Sequence, residues 1–186
     1  SPQSAVTGWL AGINASGYIY YSTNLANFAN IPGLLTQIVT ADLDGNGSAD
    51  IAGITSGGQI YYSLNRSTWT HLPGTLAQLV AGNFDGVGGT DLAGVTSSGQ
   101  IYYTLNLNSW AHLPGTLSRL VAGNFDADGA DELAGLTNAG QIWVTTNMST
   151  WDNIPGILSQ LVVGEFNGDP SDGKELAGLT SAGQIY

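Results

Sequence analysis

A 41-residue period governs this chain. Pro-Gly pairs begin at Pro32, Pro73, Pro114 and Pro155, with the same 41-residue step each time. Ala-Gly pairs begin at Ala11, Ala52, Ala93, Ala134 and Ala177, and a Gly-x-Ile-aromatic signature follows each of them, at Gly17, Gly58, Gly99, Gly140 and Gly183. The final Ala-Gly step is 43 residues, which places an insertion around Pro170. A fixed period of this size means one supersecondary unit used repeatedly, each copy burying its apolar face against the next.

One unit, Leu34 to Gly74, divides into four short apolar or alternating runs. Leu34 to Ala41 reads as a strand leading into an acidic loop. Ile51 to Thr55 is short and nearly all apolar, as a strand covered on both faces would be. After the tight turn Ser56-Gly57-Gly58, the run from Gln59 to Leu64 alternates, with Ile60, Tyr62 and Leu64 on one face and Gln59, Tyr61 and Ser63 on the other. Thr68 to Leu72 carries Trp69, and Pro73-Gly74 is expected to end it.

Four strands in about forty residues is one blade of a β-propeller. The expected fold is therefore all-β, a propeller of four-stranded antiparallel blades. Helical repeats are excluded because no segment shows a 3.6-residue period and Val, Ile, Thr and Tyr dominate the apolar runs. A calcium-binding β-roll is excluded because its loops recur every nine residues. Residues 1–186 read as a single repeat domain with units near 1–33, 34–74, 75–115, 116–156 and 157–186. Trp9 aligns with Asp50, so the register begins near a second strand, with no acidic loop in Ser1 to Gly8, and stops inside a third. That predicts 18 strands, about four and a half blades. The expectation is a partial ring, completed by the remainder of a longer propeller or by a homo-oligomer.

The acidic loops dominate the charge. The formal net charge is −11, and Arg66, Arg119 and Lys174 are the only strong bases, which removes any footprint for phosphate and excludes nucleic acid as a partner. There is no cysteine, hence no disulfide, thiolate metal site or cysteine nucleophile. No run of 18 apolar residues occurs, so no membrane span is expected.

In the first loop, Asp42, Asp44, Asn46 and Asp50 occupy positions 1, 3, 5 and 9, with the Ser48 carbonyl available at position 7. Oxygens from alternate residues of a tight turn converge on one side, which suits a hard cation seeking six to eight of them, so Ca2+ is the expected cofactor. An EF-hand would need Glu at position 12, where Gly53 stands. Loop 3 keeps Asn124, Asp126, Asp128 and Glu132. Loop 2 has Asn83, Asp85 and Asp91 but Val87 at its fifth position, and loop 4 has Glu165, Asn167, Asp169 and Glu175 at stretched spacing. Without an ion, such turns can be held by Asx bonds alone, the preferred reading for loop 2. Weak calcium sites need near-millimolar free ion, which points to an extracellular, secreted setting.

This nine-position arrangement between two strands resembles the calcium loops of FG-GAP repeats, the blades of integrin α-subunits and related bacterial propellers. The segment from Trp69 through Pro73-Gly74 to the next Gly-x-Ile-Tyr strand, repeated from Trp110 and Trp151, resembles the tectonin repeat. That second resemblance implies a lectin or pathogen-surface recognition protein, with glycans as partners. A cell-surface or extracellular protein ligand, for an adhesion module, is the alternative.

Aromatic faces stack on sugar C–H surfaces, and repeated blades multiply weak sites by avidity. The candidate ligand-binding residues are Trp69, Trp110 and Trp151, the strand residues Tyr61, Tyr102 and Trp143, and His71 and His112. The three tryptophans, one per blade, equally suit packing between blades. Of the two tyrosine faces, one is expected in the core and the other exposed. His71 and His112 replace Asn30 and Asn153 of other units, which suggests surface hydrogen bonding. No nucleophile elbow is present and every candidate residue is a repeated one, so no enzyme is expected.

Overall fold

The computed structural model describes residues 9–169 and 171–186. The acidic loop expected to be missing from Ser1 to Gly8 lies outside those residues. Seventeen strands form five antiparallel sheets in simple chain order. The first holds β1 (Leu10–Ile13), β2 (Tyr18–Ser22) and β3 (Ala29–Leu34). Three complete four-stranded blades follow. They are β4 (Gln37–Ala41), β5 (Asp50–Ile54), β6 (Gln59–Ser63) and β7 (Thr70–Thr75); β8 (Gln78–Gly82), β9 (Asp91–Val95), β10 (Gln100–Thr104) and β11 (Ala111–Thr116); and β12 (Arg119–Gly123), β13 (Glu132–Leu136), β14 (Gln141–Thr145) and β15 (Asp152–Ile157). The last sheet pairs β16 (Gln160–Gly164) with β17 (Glu175–Leu179). The expected eighteenth strand is reduced to a bridge between Leu179 and Ile185.

The first strands β4, β8, β12 and β16 neighbour one another in series, as the inner strands of a propeller do. The second strand is buried at every residue in each complete blade, its apolar run as composition predicts and its leading acid (Asp50, Asp91 or Glu132) with it. Its Ala-Gly pair has a steric cause. A Cβ on Gly53 would collide with the Gln37 carbonyl of the neighbouring inner strand and lie 2.6 Å from Leu35 Cδ1. Only glycine lets the inner strand come this close.

The Pro-Gly pairs do not end the last strand of each blade. Gln59 pairs with Thr75 while Ile60 pairs with Leu72, so Pro73 and Gly74 form a bulge inside β7. The same shift occurs at Gln100/Ile101 and Gln141/Ile142. Gly74 takes φ 96°, and the bulge absorbs a proline that offers no ladder N–H.

Each complete blade's core continues into the next. Trp69 packs on the core of the first sheet with Ile19 and Ile31, Trp110 on that of the next with Ile60 and Leu72, and Trp151 on Ile101 and Leu113. In the first sheet, Trp9 stacks on Tyr21 at 5.7 Å, and the Arg66 guanidinium lies 5.2 Å from the Trp9 ring, tying this sheet to its neighbour. Among the described residues no helix is long and apolar enough to cross a membrane.

Candidate functional site

The acidic loops join the first and second strands of each blade. In loop 1 the carboxylates of Asp42, Asp44 and Asp50 each offer an oxygen within 4.8 Å of the others, and in loop 3 Asp126, Asp128 and Glu132 do the same. Loops 2 and 4 form no such cluster among the described residues. Val87 is exposed at the tip of loop 2, where Asp85 accepts its N–H at 3.0 Å. Loop 4 spends most of its oxygens internally, although Glu165 Oε2 is buried with no hydrogen-bond partner among the described residues. The Ser171 hydroxyl, and then its N–H at 3.1 Å, donate to Asp169 and lower its pKa, Asn167 donates to Asp172 at 2.9 Å, and Glu165 faces Lys174 at 3.9 Å.

The acid that closes each loop, at position 9 in loops 1 to 3 and position 11 in the stretched loop 4, has a second task. Asp50 accepts the Leu43 N–H at 3.0 Å, Asp91 that of Phe84 at 2.9 Å, Glu132 that of Phe125 at 2.6 Å and Glu175 that of Phe166 at 2.7 Å. One carboxylate oxygen thus closes the loop and leaves the other for a cation. Burial raises the pKa of Asp50, pushes Asp91 up to about 6 and pushes Glu132 up to about 7, the latter helped by the neighbouring Asp126 and Asp128 charges.

Asn46 turns its oxygen to the Ser48 N–H at 2.8 Å and its amide to Asp44 at 2.9 Å, while Asp42 accepts from Gly47 at 2.7 Å. These are the Asx bonds that hold such a turn on its own. Ser48 is exposed, and its N–H serves the turn. At the head of loop 3, Asn124 Oδ1 is buried with no hydrogen-bond partner among the described residues, and so is Asn83 Oδ1 in loop 2. Three carboxylates and an orphaned amide oxygen make loop 3 a donor set that fits a hard cation.

Residues that pattern reading misses string the loops together. The N–H of Thr90 donates to the Asp42 carbonyl at 2.6 Å, that of Asp131 to Asn83 at 2.7 Å and that of Lys174 to Asn124 at 2.6 Å. Asp131 also accepts the Asn83 N–H at 2.8 Å. These bonds use mostly backbone groups, so no residue type marks them beforehand.

The aromatic residues gather elsewhere, along the bulged outer strands. Tyr61 pairs across the ladder with His71, rings 5.0 Å apart, and Tyr102 with His112 at the same separation. Trp143 faces Asn153, which like Asn30 donates to a strand carbonyl. The His/Asn exchange therefore swaps a hydrogen bond for ring contact. Neither tyrosine face is fully exposed: Tyr61 and Tyr62 are both half-buried, as are Tyr102 and Tyr103, because neighbouring blades cover both sides.

Between successive blades the bulge, the aromatic strand residue and the next tryptophan enclose a cleft. One of about 320 Å³ lies among Pro73, Gly74, Tyr102 and Trp110. Its counterpart of about 410 Å³ lies among Pro114, Gly115, Trp143 and Trp151. The cleft thus unites Trp110, Trp151, Tyr102 and Trp143, whereas His71 and His112 stay at its exposed edge strands.

A tectonin domain family model matches residues 45–186. The chain belongs to the tectonin family. No curated protein matches it. Among solved structures, this tectonin chain resembles BBS1N, determined in complex with ARL6DN. A mercury-soaked crystal gives a TM-score of 0.67 at 15% identity, covering 96% of this chain and 60% of that one. A lead-soaked crystal gives 0.68 at 13% identity, covering 97% and 65%. At such identity the likeness is one of propeller fold, and the chain spans less than two thirds of those proteins.

Proposed function

We propose that this tectonin propeller is a non-catalytic glycan-binding module, stabilised by calcium and working outside the cell. The observation that carries the reading is the repeated inter-blade cleft, walled by two aromatic side chains at the same place on successive blades. Such walls suit the C–H faces of a sugar, and equivalent weak sites gain strength together on a multivalent surface. The cation has a separate, structural role. In loops 1 and 3, whose spacing resembles the FG-GAP calcium loop, it would neutralise the clustered carboxylates and pin the first strand of a blade to the second.

The test is a glycan array followed by calorimetry on the sugars it selects. Saturable binding at millimolar concentration or tighter is expected, and silence across the array would sink the glycan reading. A second reading, a protein-docking module, is favoured by the complex that the like-folded BBS1N makes. It would be preferred if the array stayed silent while a purified extracellular protein bound with defined stoichiometry.

A further inference from the structure

The three tryptophans of the bulge pattern are equivalent in sequence but not in state. Trp69 Nε1 donates to the Pro32 carbonyl of the preceding sheet at 2.6 Å. Its indole lies so close over the bulge that a Cβ built on Gly33 would be 3.2 Å from Nε1. The corresponding Gly74 and Gly115 have nothing within 4 Å of such a position. There the indoles of Trp110 and Trp151 stand back, and both Nε1 atoms are buried with no hydrogen-bond partner among the described residues.

A buried indole N–H nearly always finds an acceptor, and leaving one unsatisfied is destabilising. Each indole that carries an orphaned N–H lines one of the two open clefts, whose walls are otherwise mainly apolar, with the N–H itself buried behind the cleft wall. The indole is a donor only, so whatever completes these sites must bring an acceptor together with an apolar face.

Resting on the glycan reading, we propose that the second and third clefts are the binding sites and that the first is closed by its own Trp69. In the open clefts a sugar lays a C–H face against Tyr102 or Trp143 and presents a ring, glycosidic or carbonyl oxygen to Trp110 Nε1 or Trp151 Nε1. In the first cleft the Pro32 carbonyl already holds the place of that oxygen. The residue after the bulge differs accordingly: Leu34 at the closed cleft, Thr75 and Thr116 at the open ones. The three sites are thereby sorted into two receptors and one internal latch.

The five tryptophans give five indole N–H signals, assignable by single substitutions to Phe. The full chain, labelled with 15N, is titrated with N-acetylglucosamine, methyl α-L-fucoside, methyl α-D-mannoside and methyl β-D-galactoside, alongside calorimetry. For a sugar that binds, the Trp110 and Trp151 signals move, that of Trp69 stays fixed and the stoichiometry is two. Trp110→Phe and Trp151→Phe, which keep the packing but lose the donor, each weaken one site about tenfold, the loss of roughly one hydrogen bond. Trp69→Phe leaves both affinities unchanged. If no sugar gives heat or moves any indole, the glycan reading itself fails. If a sugar gives heat but Trp110 and Trp151 stay silent, or Trp69 moves with them at a stoichiometry of three, this assignment alone is overturned.

Discussion

The Gln37 carboxamide holds both backbone groups of Leu79 in the next blade, donating to its carbonyl at 2.8 Å and accepting its N–H at 3.0 Å. Gln78 repeats the clamp on Leu120, at 2.9 and 2.7 Å. These paired bonds fix the angle between blades and so the width of the clefts outside them. At the next step Arg119 stands where Gln is required, and it is exposed. Removing one clamp with Gln78→Ala should cost about 2 kcal/mol, two hydrogen bonds with the Leu120 groups left unpaired. Arg119→Gln should restore the missing clamp on Leu161 and raise the melting temperature. Thermal melts of the two variants check both signs, and an unchanged melt for Gln78→Ala would remove the clamp from the account.

Calcium should bind at two of the four loops. With chelator the melting temperature falls, and titration of the stripped protein gives two sites per chain. Asp44→Asn and Asp126→Asn each abolish one, because each removes a carboxylate from a three-acid cluster. Asp85→Asn changes nothing, since loop 2 lacks a cluster. Calorimetry with calcium alone reads all three, and a melt that ignores both chelator and calcium would return loops 1 and 3 to ordinary Asx turns.

The propeller is legible in the sequence because its units repeat. Strand count per blade and the doubly buried second strand follow from the 41-residue step and the apolar run, whereas the approach of the Gln37 carbonyl to Gly53 shows only in the fold. The proline bulge is misread, since Pro73 looks like a strand end when one unit is viewed alone; only its pairing, Gln59 with Thr75 and Ile60 with Leu72, reveals the strand continuing past it. The clefts are harder still. Trp69, Trp110 and Trp151 share one pattern, and their difference lies in where an indole N–H finds its acceptor, a three-dimensional relation between blades. The position-9 acids show a third case: the ligand role proposed for them rests on spacing, whereas their bond to the N–H seven residues earlier in loops 1 to 3 is visible only in the fold.

Metal-free protein should lose stability as pH rises from about 4 towards neutrality. Glu132 is pushed from an ordinary 4.5 up to about 7 and Asp91 from 3.8 up to about 6, in both cases mainly by burial. A carboxylic acid whose pKa is higher in the folded state binds its proton more tightly there, so unfolding releases that proton. The contribution to stability is complete below the unfolded values and disappears as pH climbs past about 6 for Asp91 and about 7 for Glu132. In chelator, the melting temperature should therefore drop between about pH 4 and pH 7, the span from the ordinary values to the folded ones, and level off above it. Glu132→Gln, which can still accept the Phe125 N–H, should flatten that slope while abolishing calcium binding at loop 3. A melt independent of pH in chelator would contradict the burial of these acids.

The second-strand glycines offer a test with its own control. At Gly94 an added Cβ would strike the Gln78 carbonyl of the inner strand and come within 2.6 Å of Leu76 Cδ1. Gly12 holds the same repeat position in the first sheet, yet among the described residues a Cβ there meets nothing within 4 Å. Gly94→Ala should therefore destabilise by about 1–3 kcal/mol, the usual cost of forcing extra atoms into a packed interior. Gly12→Ala should be neutral within roughly half a kcal/mol, as changes at unconstrained positions are. Denaturant unfolding of the pair measures the difference directly. Equal losses would mean that glycine serves this position through backbone freedom common to all blades; a loss confined to Gly94 assigns it to the approach of the inner strand.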